Sequence, residues 1–344
     1  MPDIEKFMTV SADDIEKIMG VDSGDIETVM GVDMPAAGPA YTGQTFVCFG
    51  GNTSESWVIV DIDYKSSTSD GNASPFGEMS EQMNTGSAAG SQGARAVHAG
   101  GAKDPNYTTG RSEMEYITIA STGDTEEAGD LTVARGEGPG AAGNGTRAIW
   151  AGGYNFGGTY GDVMDYMAIS STGGATDFGD LNNDTGNGNC GGSLTRFLHS
   201  GGNSLVQQID YVAFDTTGGA SDFGDLQLPT RSNGGGISSE AVICNSQGGT
   251  ELTTADPYSE TSRTDRMDWV NPASTGSTDD FGDLIAGKRY VSGGFSDNTR
   301  GEIWGGDTRT DAIQYVDIAG KGDATEAGNM TVTSRKRSYS GASG

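Results

Sequence analysis

A unit of about 50 residues recurs from residue 44 to the end of the 344-residue chain, and this repeat constrains the fold more than any other feature. Each copy has an apolar run closed by two glycines, a variable loop, a strand-like run around an aromatic residue, a turn containing Thr-Gly, and an ending of the type FGDL. Residues 146–181 form the clearest copy. The glycine pairs are Gly50/Gly51, Gly100/Gly101, Gly152/Gly153, Gly201/Gly202, Gly248/Gly249 and Gly305/Gly306. Their spacing is typical of the blades of a β-propeller.

The two ends of the repeat predict how the ring closes. A unit of four short strands cannot bury both faces of its sheet, so the units must stack side by side around an axis. The first copy begins directly with TFVCFGG, whereas the last copy ends with a surplus strand, RKRSYSGAS, that starts at Arg335. The sequence therefore predicts an all-β fold, with a six-bladed β-propeller over residues 44–344 whose first blade is completed by the C-terminal strand.

A different repeat, of 11 residues, occupies residues 3–35 and places apolar side chains at i, i+3 and i+4. Ser11 and Ser23 are placed to cap helices, and Gly20 and Gly31 to end them. The pattern predicts an α-helical docking module over residues 1–35, followed by a linker at 36–43. An alternative is a self-contained cap on the main domain. The residues predicted to dock are Ile4, Phe7, Met8, Ile15, Ile18, Met19, Ile26, Val29 and Met30.

The net charge of -28 argues against binding to nucleic acid or to an anionic membrane, because neutralising phosphates needs clustered cations. It fits solubility in a salty medium, with bound divalent cations or a basic partner as alternatives. Three cysteines, Cys48, Cys190 and Cys244, are too few for a disulfide framework and are predicted to pack as small hydrophobic residues. The sequence shows neither a secretory signal nor a long apolar run, which predicts synthesis in a cytoplasm without membrane insertion.

Candidate chemistry is sparse. His98 and His199 both lie two residues before a glycine pair, in the slot that holds Trp150 and Cys48 in other copies, which indicates a packing position rather than a metal site. The acids of the GDL endings are predicted to cap turns, and no ordered calcium-loop pattern is present. We therefore expect no cofactor, no metal and no enzymatic activity. The four GDL acids are Asp130, Asp180, Asp225 and Asp283.

The loops after the glycine pairs are long in three copies and rich in aromatic residues, which favours recognition of a sugar surface or a protein at this end of the propeller. The alternative is that these aromatic side chains pack down on their own blades. The residues predicted to bind are Asn106, Tyr107, Tyr154, Phe156, Tyr160 and Tyr258.

The glycine pair, the following aromatic strand and the Arg-led strands at Arg135, Arg231 and Arg335 resemble the kelch repeat over residues 44–344, with the Phe of FGDL in place of the outer-strand tryptophan. Together with the N-terminal I-x-K-I-x-G-V units, the pattern resembles kelch-like structural proteins of tailed, particularly marine, bacteriophages. The resemblance implies a tail fibre or appendage subunit of the virion, assembled in the host bacterial cytoplasm and present in multiple copies. Its N-terminus would dock to other virion proteins, and its propeller head would bind a host surface glycan or protein, or another virion protein. A sugar-active enzyme of the oxidase or glycosidase class is the alternative.

Overall fold

The computed structural model describes residues 17–18, 21–22, 28–29, 32–33, 45–51, 59–83, 87–90, 95–102, 109–136, 138–155, 157–186, 188–202, 206–230, 236–237, 242–245, 264–288, 293–297, 299–306, 311–332 and 341–343. The chain divides into two compact units, Met1–Ala40 and Tyr41–Gly344.

The first unit contains two short antiparallel strand pairs and, within its described residues, no helix. Strand β1 (Lys17–Ile18) pairs with β2 (Val21–Asp22), and β3 (Thr28–Val29) pairs with β4 (Val32–Asp33). The predicted helical module is therefore wrong in the described part. The intervals between paired strands are two residues long and end in glycine, which suits hairpin turns better than helix. The flanking Ile, Val and Thr favour strands.

Two of the residues predicted to dock lie in these strands, Ile18 in β1 and Val29 in β3. The other residues predicted to dock lie outside the described residues: Ile4, Phe7, Met8, Ile15, Met19, Ile26 and Met30.

The second unit is built from sheets of four strands. The chain enters with β5 (Thr45–Gly51), β6 (Ile59–Ser66) and β7 (Ser74–Met83). The second blade comprises β8 (Ser87–Gly90), β9 (Arg95–Ala99), β10 (Arg111–Thr118) and β11 (Glu126–Arg135). The third comprises β12 (Gly140–Gly143), β13 (Arg147–Ala151), the short β14 (Tyr154–Asn155), β15 (Thr159–Ala168) and β16 (Thr176–Thr185).

The fourth blade comprises β17 (Asn189–Gly192), β18 (Arg196–Ser200), β19 (Val206–Ala213) and β20 (Ser221–Thr230). The fifth comprises β21 (Gly236–Ile237), β22 (Val242–Asn245), β23 (Thr264–Val270) and β24 (Asp279–Lys288). The last blade comprises β25 (Gly293–Ser296), β26 (Arg300–Trp304), β27 (Ala312–Asp317) and β28 (Thr325–Asn329), and β29 (Gly341–Ser343) follows it.

Strand pairing confirms the predicted propeller arrangement. Five blades consist of strands consecutive in the chain, and one more sheet, the first blade, has the order β29-β5-β6-β7. Gly341 pairs with Cys48, so the C-terminal strand completes the first blade as predicted. The innermost strands contact one another in the closed order β29, β8, β12, β17, β21, β25 and back to β29. Ring closure leaves no blade with an unpartnered face among these sheets.

The core lies between neighbouring blades rather than within any one of them. At the first interface, Val47 and Ile62 of the first blade pack with Ala96, Ile117 and Ile119 of the second. Similar apolar clusters join the second to the third blade and the third to the fourth. Because each sheet is covered only by its neighbours, the stability of every blade depends on the next one.

The Thr-Gly turn and the FGDL ending are the two halves of one inter-blade contact. The Gly218 amide donates to the Phe178 carbonyl of the preceding blade at 2.7 Å. Gly179 of FGDL has φ +138°, and a Cβ there would collide with the carbonyl group of Gly218. Glycine at this position is therefore required both by the backbone conformation and by the close approach of the next blade.

The predicted turn-capping role of the GDL acids is wrong. All four lie within outer strands, with exposed side chains, and it is their backbone carbonyls that accept hydrogen bonds from the turn of the next blade. Ala220 donates to Asp180 at 2.7 Å and Ala324 donates to Asp283 at 2.8 Å. The acids whose predicted role was wrong are Asp130, Asp180, Asp225 and Asp283.

Candidate functional site

A buried acid recurs in the third main strand of the blades and holds the outer strand of the preceding blade. Asp210 accepts the Asn182 amide at 3.1 Å, and Asp268 accepts the Gln227 amide at 3.3 Å. In the last blade a glutamine, Gln314, replaces the acid and accepts from a backbone amide in the same way. Hydrogen bonds of this kind, between a buried acceptor and the neighbouring blade, fix how the blades are stacked. The residues at this position are Asp63, Glu115, Asp165, Asp210, Asp268 and Gln314.

Arg135 gives one of these acids a full ionic partner. Its Nη2 lies 2.7 Å from Asp165 Oδ2, and its Nη1 donates to the Gly152 carbonyl at 2.9 Å. Arg135 belongs to the second blade and Asp165 to the third, and both side chains are almost inaccessible to solvent. Burial lowers the pKa of Arg135, while the charge of Asp165 and its hydrogen bond oppose that effect. The pair is therefore a blade-to-blade tie.

Stacked cations form a second repeated contact, at the end of the propeller opposite the loops that follow the glycine pairs. In four blades an arginine at the start of the second strand lies over the aromatic ring of the third, at 3.7 to 4.8 Å from the ring centroid. Arg196 also donates to the Pro272 carbonyl of the next blade at 2.9 Å. The four pairs are Arg95/Tyr116, Arg147/Tyr166, Arg196/Tyr211 and Arg300/Tyr315.

The fifth blade receives its cation from a neighbour. Its sequence has Ala241 where those four blades have arginine. Lys321, in the turn of the last blade, places its Nζ 3.2 Å from the ring centroid of Trp269. Lys321 has φ +49°, a left-handed conformation unfavourable for a residue with a side chain. The strained lysine thus restores the stacking contact that the fifth blade lacks.

The two histidines are buried at blade interfaces, in the packing position that the sequence predicted. Burial is the main cause that lowers the pKa of His98 to about 3 and that of His199 to about 4. Nδ1 of His98 and Nε2 of His199 have no hydrogen-bond partner, and the His98 ring lies 5.7 Å from the Phe49 ring. Both rings are therefore neutral packing groups. Among the described residues, no set of three or more His, Cys, Asp or Glu side chains is arranged to hold a metal ion.

Within the part of the chain that the structure describes, the loop after the glycine pair of the third blade contains a short β-hairpin. Strand β14 pairs with the start of β15, with Tyr154 opposite Tyr160 and Asn155 opposite Thr159. The two tyrosine rings are 4.9 Å apart at a tilt of 41°. Gly158, with φ +95°, donates its amide to the Asn155 carbonyl at 3.2 Å and closes the turn. Cross-strand pairing of this kind holds both rings in place.

The base of the hairpin is fixed to two blades. The Gly161 amide donates to the Gly153 carbonyl at 3.0 Å, and the Gly136 amide of the second blade donates to the Tyr154 carbonyl at 2.8 Å. Tyr160 also lies so close to Gly186 that a Cβ there would be 2.8 Å from the ring. Each tyrosine is partly exposed, and the described residues between them, Asn155, Gly157, Gly158 and Thr159, are exposed. The hairpin thus holds two partly exposed rings on a base that is hydrogen-bonded to both blades.

Of the residues predicted to bind, the structure brings together Tyr154 and Tyr160. The other four lie outside the described residues: Asn106, Tyr107, Phe156 and Tyr258. The Tyr160 ring lies against Gly186 of its own blade, as the packing alternative expects. Recognition through these two rings stays a prediction.

Clustered carboxylates make the outer strands acidic. Partial desolvation by the neighbouring outer strand residues, followed by the charges of Asp162 and Asp177, raises the pKa of Asp180 although its side chain is exposed. The pKa of Asp283, which is also exposed, is raised by partial desolvation, then by Asp265 and other neighbouring acids. Like charges this close disfavour a further anion. The surface of the outer strands is consequently better suited to neutral or cationic ligands than to anionic ones.

The chain matches no protein-family model, and no curated protein aligns with it. No helix within the described ranges is long and apolar enough to span a membrane.

Sequence reasoning missed the buried acids of the third strand, although a signal was present. In each copy an acid or glutamine directly precedes the strand aromatic, as in Met164-Asp165-Tyr166. Alternation places that residue on the face opposite the aromatic, toward the preceding blade. A polar residue at an inward position in every copy indicates a partner on the neighbouring sheet.

Proposed function

We propose that the protein is a virion structural protein of a tailed bacteriophage, a tail fibre or appendage subunit whose propeller is a binding head. The repeat pattern described above supports the phage assignment, and the propeller arrangement supports the role of a rigid platform. Propellers host unrelated activities, so the site has to carry the argument for binding.

The observation that carries the proposal is the tyrosine hairpin of the third blade. Its two rings are held 4.9 Å apart at a fixed tilt and are partly exposed. Asn155 and Thr159 lie beside them at the tip, joined by a 2.9 Å hydrogen bond between their side chains. Rigid aromatic rings with adjacent amide and hydroxyl groups are suited to stacking on a sugar ring and binding its hydroxyl groups. A host surface glycan is therefore the proposed ligand, with a protein of the host or virion as the other partner class.

The repeated polar residues support the same conclusion, because their side chains are used in contacts between blades. The third-strand acids and the stacked arginines make contacts between blades, as the Asn182–Asp210 and Arg196–Pro272 hydrogen bonds illustrate. These groups stabilise the ring of blades, and we therefore propose that segments outside the repeat bind the ligand.

The proposal includes six blades. Five blades of consecutive strands together with the sheet β29-β5-β6-β7 support this number, as does the closed order of the innermost strands. An experimental density map of the purified protein would test the number directly. A ring with any other number of blades would contradict it.

The N-terminal repeat is proposed to attach the protein to the particle, now as short hairpins rather than helices. Ile18→Asp combined with Val29→Asp would place charges in β1 and β3, and incorporation into particles is expected to fall. Lys17→Ser with Thr28→Ser, in the same strands, is the control and should assemble normally. Equal incorporation of both variants would count against N-terminal docking.

The binding head is tested with Tyr154→Ala/Tyr160→Ala in the full-length protein. Loss of two aromatic anchors should weaken binding to a glycan array or to host cells about tenfold or more. The matched control is Leu194→Ala, because Leu194 is 59% exposed and lies at the opposite end of the propeller.

Unchanged binding by the tyrosine variant would exclude the hairpin as the binding site. Release of sugar or of oxidised product from an array glycan would instead favour the enzyme alternative.

A further inference from the structure

The interface between the last blade and the first contains a buried ion pair. Lys65 Nζ of the first blade lies 2.7 Å from Glu302 Oε1 of the last, and the two side chains are 3% and 0% exposed. Lys65 also donates to the Ser69 carbonyl at 2.6 Å and to the Ser66 carbonyl at 3.1 Å. The ammonium group therefore has a partner for each of its three protons.

Glu302 is equally well satisfied. Its Oε1 also accepts from Arg300 Nε at 2.8 Å, and its Oε2 accepts from the Trp304 indole N–H at 2.8 Å. Arg300 in turn reaches Asp70 of the first blade at 2.8 Å. Two cations and two carboxylates thus form a neutral, hydrogen-bonded group that crosses this interface.

Strand register shows that other blades have aliphatic residues at both positions. Lys65 follows the aromatic of the third main strand, and Glu302 lies opposite that aromatic on the second strand. The residues equivalent to Lys65 are Ile117, Met167, Val212, Val270 and Val316. The residues equivalent to Glu302 are Val47, Val97, Ile149, Leu198 and Ile243.

At four other interfaces the equivalent pair packs within one apolar cluster. The pairs are Val47 with Ile117, Val97 with Met167, Ile149 with Val212, and Leu198 with Val270. These pairs are chemically alike, so they give little basis for telling one blade interface from another. The last-to-first interface differs from them in charge.

Docking the first blade on any of those blades would bury the Lys65 ammonium against an aliphatic side chain. Docking the last blade elsewhere would likewise bury the Glu302 carboxylate without Lys65. An unpaired buried charge is strongly destabilising, whereas a buried pair is often no more stable than two well-packed apolar residues. The pair therefore adds selectivity to this contact rather than strength.

We propose that Lys65 and Glu302 specify which two blades close the ring. They exclude closure that skips a blade and exclude stacking of the first blade on an internal blade of the same or another copy. The need arises at this interface because strands β5, β6 and β7, which make up most of the first blade, are distant in sequence from the last blade, and the chain runs from the last blade into the first blade through the three-residue strand β29. The other neighbouring blades are adjacent in the chain along their whole length.

The test is Lys65→Met/Glu302→Ile, which introduces residue types found at the equivalent positions, followed by refolding from denaturant at low concentration. Monomer yield by size exclusion with light scattering should fall by about half or more, with misclosed or oligomeric species appearing. The folded monomer should have a denaturation midpoint at least equal to that of each single variant. Met167→Leu/Val97→Ile, at the second-to-third interface, is the control and should refold like the wild type.

A double variant that refolds to one monomer in wild-type yield would overturn the proposal. Failure of the double variant to fold at all, while the single variants fold, would also overturn it, because the pair would then be needed for stability rather than for the choice of interface.

Discussion

Replacing Asp165 by asparagine would remove the negative charge from the ion pair between the second and third blades while keeping the size of the side chain. The Arg135 guanidinium would stay where it is, because its other hydrogen bond is to the Gly152 carbonyl at 2.9 Å. Both side chains of the pair are at most 3% exposed, so water cannot replace the lost carboxylate. The substitution therefore isolates the cost of an unpaired buried cation.

The expected loss of unfolding free energy is about 3 to 5 kcal/mol, the range for breaking a buried pair by removing one partner. Asparagine can still accept the hydrogen bond from the Thr132 hydroxyl through its Oδ1. Asp165→Ala would lose that bond as well and should cost roughly 1 kcal/mol more. The apolar double variant Arg135→Met/Asp165→Leu should be less destabilised than Asp165→Asn, because it leaves no charge unpaired.

Urea denaturation at pH 7, followed by circular dichroism, measures the shift in midpoint for each variant. Asp180→Asn is the control, since Asp180 is exposed and neighbouring acids already disfavour its charge. It should change stability by less than about 0.5 kcal/mol. If Asp165→Asn lay within about 1 kcal/mol of the wild type, the idea that Arg135 is desolvated and dependent on Asp165 would have to be abandoned.

Two further predictions concern the buried histidines and the FGDL glycines. The histidines are neutral when folded and have a pKa of 6.5 when unfolded, so stability should be complete above pH 6.5 and decline as pH falls toward about 4 for His199 and about 3 for His98. The decline should reach about 1.4 kcal/mol per pH unit for each histidine. The variant His98→Ile/His199→Ile introduces the residue type that Ile303 has at the equivalent position. It should reduce the loss of unfolding free energy between pH 6.5 and 5, measured by urea denaturation. An unchanged loss would show that other groups cause it. Gly179→Ala should destabilise more than Gly173→Ala in the same assay, because both have φ near +130° but only Gly179 faces the backbone of the next blade. Equal effects would mean that inter-blade contact does not constrain Gly179.

The propeller could be predicted from sequence because its signals are periodic. Glycine pairs, strand aromatics and FGDL endings recur at blade spacing, and a surplus strand after residue 335 implied that the C-terminus completes the first blade. These signals depend on local geometry, such as the backbone conformation that Gly179 must adopt. A sequence repeat therefore predicts the structural features that all blades share.

Contacts between blades were harder to predict, because periodicity gives the position of a residue but not its partner. Asp180 was expected to cap a turn, yet its carbonyl joins the neighbouring blade and its side chain is exposed. The role of Lys321 depends on the missing arginine of the fifth blade, and the repeat that contains Lys321 gives no sign of it. The N-terminal prediction failed for another reason. Ile18 lies opposite Val21 in the pairing of β1 with β2, so a short strand pair also brings together apolar residues three positions apart.

For the candidate site, sequence identified the aromatic loop of the third blade but not its conformation. That Tyr154 and Tyr160 face each other follows from the pairing of Asn155 with Thr159 and from the turn at Gly158. Composition alone could not indicate this register, because the loop contains several glycines and aromatic residues in close succession.

The hydrogen bond between Gly161 and Gly153 has a consequence for how binding preference could diverge. It joins the two ends of the hairpin at its base, so the residues between Tyr154 and Tyr160 can be exchanged or the segment lengthened without moving the strands beneath. Doubling the length of such a loop costs only about 0.6 kcal/mol in closure entropy. Variation at this segment is therefore nearly uncoupled from folding. Under the proposed binding role, descendants of one scaffold could acquire new targets by changing a handful of codons while inheriting the ring intact.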